Sequence, residues 1–249
     1  MRWLVAWLMW WSAGPLFAQT ITEAAYNEPT QRYAHGVLGD NVEWGNLSVT
    51  VHRETGSKDG LLRTWRDQTY HLRQPEDRVF EDTAPRLVDL DGDDKPEIIV
   101  VESHSDYGAR LAVYGLNVDG IPELQAWTRF IGRKHRWVAP VGAADFNGDG
   151  VMEIAFVDRP HLVQKLRVFS YAKGEAGAFE ELDALTNHRI GDDYISGGIR
   201  KCADKPEMVL LSPDWRDLVL VHWQEDGFVK QRIGANNGPE SIAAALACS

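Results

Sequence analysis

The chain of 249 residues has two cysteines, no excess of positive charge and, beyond its first residues, no long apolar run. Each shortage excludes something. Two cysteines, Cys202 and Cys248, cannot form a zinc cluster or an iron–sulfur site, and they show no Cys-x-x-Cys redox spacing. Formal charge is −11. A nucleic-acid binder needs a basic footprint, so an acidic domain is a poor candidate. No stretch after residue 18 has the roughly 20 apolar residues of a spanning helix. Gly-x-Ser-x-Gly, His-Glu-x-x-His and the P-loop are all absent, which removes the commonest sequence supports for a hydrolase, a zinc protease or a nucleotidase.

What the chain does have is one acidic phrase written twice. Asp89-Leu90-Asp91-Gly92-Asp93-Asp94-Lys95-Pro96-Glu97 precedes the apolar run 98–101. Asp145-Phe146-Asn147-Gly148-Asp149-Gly150-Val151-Met152-Glu153 precedes the run 154–157. Corresponding residues lie 56 apart. Oxygen-bearing side chains at the first, third, fifth and ninth positions of a tight loop suit a hard divalent cation, which takes oxygens at about 2.3–2.6 Å. The loop is too short for an EF-hand and leads into a strand, not a helix. Repetition at this period points to a propeller or solenoid.

These loops resemble those of the VCBS/FG-GAP repeats, the calcium-loop β-propeller repeats also found in integrin α chains. The match is strongest over 85–101 and 140–157, and the literal Phe-Gly…Gly-Ala-Pro sequence is absent. The resemblance implies two structural Ca²⁺ ions. One would be held by Asp89, Asp91, Asp93, Glu97 and the carbonyl of Lys95. The other would be held by Asp145, Asn147, Asp149, Glu153 and the carbonyl of Val151. A third, degenerate copy at 199–207 lacks anionic side chains at its first, third and fifth positions and is expected to bind no metal.

The organisation expected is an all-β chain forming a small propeller of four blades, each of about four strands. Repeats span about 85–139, 140–196 and 197–240, and a first blade covers about 32–72. That blade is expected to be completed by a C-terminal strand, 241–248, closing the ring, although the small residues there also allow a short helix. A five-bladed ring or an open solenoid remain alternatives. Residues 19–31 read as a polar entry segment, and 32–39, with His35, as a strand.

Arg2 followed by the apolar run 3–11 and Leu16-Phe17-Ala18 reads as a signal peptide over 1–18, leaving one domain over 19–249. Arg2 is the sole charge before the cut, so the mature charge is −12. The expected destination is periplasmic or secreted. There an even pair of cysteines suggests a Cys202–Cys248 disulfide, and inner strands ending side by side would support it.

In a four-strand blade, the loops between strands two and three and the connections between blades lie opposite the acidic loops. They carry His104, Tyr107, His135, Trp137, Arg159, His161, Asp193, Tyr194 and Trp215. Aromatics beside charges on loops suit a protein or carbohydrate ligand. The function expected is therefore a calcium-binding module for binding or scaffolding. The alternative is a secreted carbohydrate-active lyase or hydrolase on the same propeller.

Overall fold

Alternation of apolar residues decides how the sheets stack. In the strand Glu97–His104, Ile98 and Val100 pack with Ile21, Leu47 and Val49 from the N-terminal strands while Ile99 and Val101 face the following sheet. In Glu153–Asp158, Ile154 and Phe156 point back and Ala155 and Val157 point forward. In Glu207–Leu211, Met208 and Leu210 point back and Val209 forward. A period of two on strands buried on both faces yields a row of sheets, each sharing an apolar layer with the one before.

The computed structural model describes residues 18–56, 63–177 and 180–248. The expected signal peptide, 1–18, lies outside the described residues except for Ala18. The strands in chain order begin with β1 (Gln19–Thr30), β2 (Glu43–Gly56), β3 (Arg63–Arg73) and β4 (Arg78–Phe80). The first acidic unit is β5 (Arg86–Val88), β6 (Glu97–His104), β7 (Gly108–Leu116) and β8 (Pro122–Trp127). Next come β9 (Val138–Ala144), β10 (Glu153–Asp158), β11 (Lys165–Ser170), β12 (Gly174–Glu175) and β13 (Glu180–Leu182). The last unit is β14 (Gly198–Arg200), β15 (Glu207–Leu211), β16 (Asp217–Gln224) and β17 (Gly227–Ala235), followed by the helix α1 (Pro239–Leu246).

The fold is all-β apart from that helix. Strands β5 to β8 pair in sequence as an antiparallel meander. The orders β9-β10-β11-β13 and β14-β15-β16-β17 repeat it in two further four-stranded sheets. The short β12 leaves its own unit and pairs parallel with β8. At the N-terminus β2 lies between β1 and β3, and β4 links β2 to β6, so the first strands and the first acidic unit form one nine-stranded sheet. Among the described residues none of the sheets closes into a barrel. Among the described residues no helix is long and apolar enough to cross a membrane.

Three expectations are corrected. Residues 19–30 are a strand, not an entry segment; Ile21 is buried, and β1 pairs along β2. Residues 32–39 are not a strand, because Gly36 and Gly39 turn with φ of 68° and 94°, a left-handed region that favours glycine. The C-terminal stretch is a helix and does not close a ring with the first strands. Ala243, Ala244 and Ala245 are strong helix formers, and Pro239 sits at the helix start, where its missing N–H costs nothing. The helix lays Ile242, Ala245 and Leu246 over Val209, Leu218 and Leu220. It covers the outer face of the last sheet, where a further sheet would otherwise pack.

Candidate metal centres and the opposite loop cluster

The two acidic loops, β5–β6 and β9–β10, share four backbone-to-carboxylate hydrogen bonds. The ninth-position carboxylate accepts from the second-position N–H: Leu90 N to Glu97 Oε2 and Phe146 N to Glu153 Oε2, both 2.8 Å. The first-position carboxylate accepts from the fourth and sixth N–H groups. These are Gly92 (2.8 Å) and Asp94 (3.0 Å) on Asp89, and Gly148 (2.7 Å) and Gly150 (3.0 Å) on Asp145. The fifth-position carboxylate accepts from the seventh N–H: Lys95 to Asp93 at 2.9 Å, Val151 to Asp149 at 2.8 Å. The fourth position is left-handed in both loops, with φ of 76° at Gly92 and 81° at Gly148. Glycine meets that need without the strain a Cβ brings.

This wrapping gathers the carboxylates. Oxygens of Asp89, Asp91 and Glu97 lie within 4.8 Å of one another, as do those of Asp145, Asp149 and Glu153. Glu97 and Glu153 are buried at the first residue of their strands. Burial, then the charges of Asp91, Asp93 and Asp89, push the Glu97 carboxyl up to about 7. Burial, then Asp149 and Asp145, raise Glu153. Like charges this close need a cation or a proton. An all-oxygen donor set fits Ca²⁺ or Mg²⁺ and is a poor match for softer metals.

Two predicted ligands are engaged otherwise. Lys95 Nζ reaches Asp93 Oδ2 at 2.7 Å. Asn147 Nδ2 donates to Asp149 Oδ2 (3.1 Å) and Glu153 Oε1 (3.0 Å), placing an amide donor among the carboxylates. Lys205, from the degenerate loop, donates its ammonium to the Asn147 carbonyl.

In that third loop Glu207 occupies the ninth position, and Arg200, at the second, meets it with its side chain at 2.9 Å. Cys202 and Cys248 form the expected disulfide, which ties this loop to the second residue past α1. The predicted reason, adjacent inner strands, is replaced by a tie from a loop to the end of the helix.

The antiparallel meanders send the β6–β7 and β10–β11 loops, and the connections between units, to the end opposite the acidic loops. Of the residues expected there, His135, Trp137, Arg159 and His161 line one cavity of about 280 Å³. His104 and Tyr107 form a separate ring pair at 4.7 Å, near Phe130. Tyr194 and Trp215 line another cavity beside α1, with Arg189 stacked over Trp215 at 4.2 Å. Asp193 lies between β9 and β14.

The first cavity also contains His35, which the sequence reading placed in a strand. Its ring stacks on His135 at 4.9 Å, and its Nδ1 faces Glu81 Oε1 at 2.5 Å. His188 lies behind, with Nδ1 2.9 Å from His161 Nε2. For His35 the sequence did hold a sign, since Gly36, Gly39, Asp40 and Asn41 are turn residues. For Glu81 and His188 no local pattern marks the role.

No curated protein and no solved structure matches the chain. Residues 89–156 match the family model of the FG-GAP-like repeat, a span that runs from the first residue of one acidic loop through the other loop and into the strand after it.

Proposed function

We propose that the protein is an exported, calcium-stabilised β-propeller-like module that binds a ligand or partner through the loops opposite its acidic loops. The observation that carries the metal reading is the pair of carboxylate clusters built by the same hydrogen bonds in two loops of an FG-GAP-like repeat. Asp89, Asp91, Asp93, Glu97 and the Lys95 carbonyl would hold one Ca²⁺. Asp145, Asn147, Asp149, Glu153 and the Val151 carbonyl would hold the other. Each ion would neutralise carboxylates that repel one another and would pin the turn into β6 or β10. The units at about 85–139, 140–196 and 197–240 are then blades, with β1, β2 and β3 as an N-terminal extension of the first blade's sheet. Cleavage after Ala18 would deliver the module to the periplasm or the medium, where the Cys202–Cys248 bridge is stable.

The test is calcium content and thermal melting with and without chelator, beside an Asp91→Ala/Asn147→Ala double variant. Roughly two ions per chain are expected, each site having at least six oxygen places to fill. The melting temperature should fall in chelator. Unbound calcium and an unshifted melt would reduce both loops to acidic turns.

A carbohydrate-active enzyme on the same fold is the second reading. The His35–Glu81 contact favours it, since a buried carboxylate orienting an imidazole is an arrangement used for general bases. Turnover on a polysaccharide panel, lost in Glu81→Gln, separates the two.

A further inference from the structure

Three histidines of the 280 Å³ cavity have their ring N–H groups committed to the protein. Glu81 is 1% exposed and its second oxygen accepts from Ser103 Oγ, so His35 donates from Nδ1 to Oε1. His135 donates from Nε2 to the Tyr33 carbonyl at 3.2 Å. His188 donates from Nε2 to the Asp192 carbonyl at 2.9 Å, which makes its Nδ1 an acceptor for His161 Nε2–H.

A neutral imidazole has one donor and one acceptor nitrogen. Among the described residues the network therefore leaves His35 Nε2, His135 Nδ1 and His161 Nδ1 as unfilled acceptors, on three residues that line one cavity. Among the described residues they do not form a group of three ligand atoms within 4.8 Å, as a bound metal would require. Acceptors that are spread out and partly shielded from water call for hydroxyl donors.

The cavity's cations differ. Arg159 is held by the buried Asp158 through contacts of 2.7 and 2.8 Å. Arg136 donates to the His135 carbonyl at 2.8 Å and meets no carboxylate among the described residues. Its guanidinium is the charge left for a ligand. Val37 closes the floor, and Leu162 and Ile190 stand at the rim 63% and 70% exposed. His135 and Arg159 have φ of 54° and 48°, a conformation non-glycine residues keep only where the surroundings hold it.

We infer that this cavity binds a small polyhydroxylated carboxylate, a compound of sugar-acid chemistry and single-residue size. Its hydroxyls donate to the free nitrogens of His35, His135 and His161. Its carboxylate pairs with Arg136, and its C–H face lies on Leu162 and Ile190. The volume, near the lower bound of about 300 Å³ for small-molecule sites, limits it to one ring. The inference rests on the reading of this loop cluster as the ligand face.

The experiment is calorimetric titration of the calcium-loaded mature protein with D-glucuronate. D-glucose keeps the hydroxyls without the charge, and acetate keeps the charge without the hydroxyls. Saturable glucuronate binding tighter than about 1 mM is expected, with both controls at least about tenfold weaker. Arg136→Gln should weaken glucuronate about tenfold and leave glucose unchanged, and His161→Gln should weaken both.

Melting of each variant confirms folding. Glucose bound as well as glucuronate, or unchanged glucuronate affinity in folded Arg136→Gln, overturns the inference. So does a signal that disappears with chelator and ignores Arg136, because the carboxylate would then be on the metal. A protein whose melting responds to calcium but takes no glucuronate sinks this inference alone. A protein indifferent to calcium that still binds glucuronate through Arg136 sinks the calcium reading alone.

Discussion

Arg200 Nε lies 2.9 Å from Glu207 Oε2, where the other two loops set no cationic side chain against the equivalent glutamate, Glu97 or Glu153. The same guanidinium donates to the Ala245 carbonyl at 2.8 Å, near the end of α1. A fixed cation thus stands in the third loop where the other two offer a site to a mobile one. Arg200→Ala strands Glu207, which is 8% exposed, and an acceptor at the helix end. Urea denaturation should show a loss of about 1–3 kcal/mol, the cost of leaving a largely buried polar group unpaired. Calcium should not restore it; recovery at saturating calcium would mean that the third loop binds metal after all.

The disulfide ties that loop to α1 across a sequence separation of 46. The chain-entropy model assigns a bridge of this span about 4 kcal/mol. A Cys202→Ser/Cys248→Ser variant should lose most of that stability, with α1 detaching from Val209, Leu218 and Leu220. Hydrogen exchange over 239–247 is the local readout. Unchanged protection there would show that apolar contact alone holds the helix.

Lys95 Nζ occupies Asp93 Oδ2 at 2.7 Å, yet the residue's expected part in the metal site is its backbone carbonyl. Lys95→Met removes a competing ammonium and keeps the carbonyl. Since an exposed ion pair contributes up to about 1 kcal/mol, calcium affinity of the first loop should rise by up to about fivefold. Titration in an Asp149→Ala background isolates that loop, and a weaker affinity would place the lysine on the side of the metal.

His161 and His188 set a dependence on acid. Burial, then the neighbouring His188 and His35, lower His161 to about 4; burial also lowers His188. A histidine with a depressed folded value resists protonation. Its contribution is fully present above about 6.5, the ordinary value, and is lost as pH falls through the folded value near 4. The stability gap between wild type and His161→Gln, from urea melts at pH 7.5, 5.5 and 4, should therefore shift against the wild type as pH falls. A gap independent of pH would show that the pair titrates normally.

The sequence alone determined whatever depends on neighbours along the chain. Asp89 to Glu97 and Asp145 to Glu153 are contiguous, so their spacing disclosed both loops, and the paired runs after them disclosed strands buried on both faces. The antiparallel order inside each unit followed, because short loops leave a strand little choice of partner. Residues 241–248 read in sequence as a strand that closes the ring, and the helix formed because the last sheet had a bare apolar face for Ala245 and Leu246 to cover. His35, Glu81, His135 and His188 lie in separate segments of the chain, and their meeting is a property of packed loops that no local pattern encodes. Tertiary structure alone decided which ring nitrogens are tied and which are left as acceptors, because a tautomer is set by the partner across the fold.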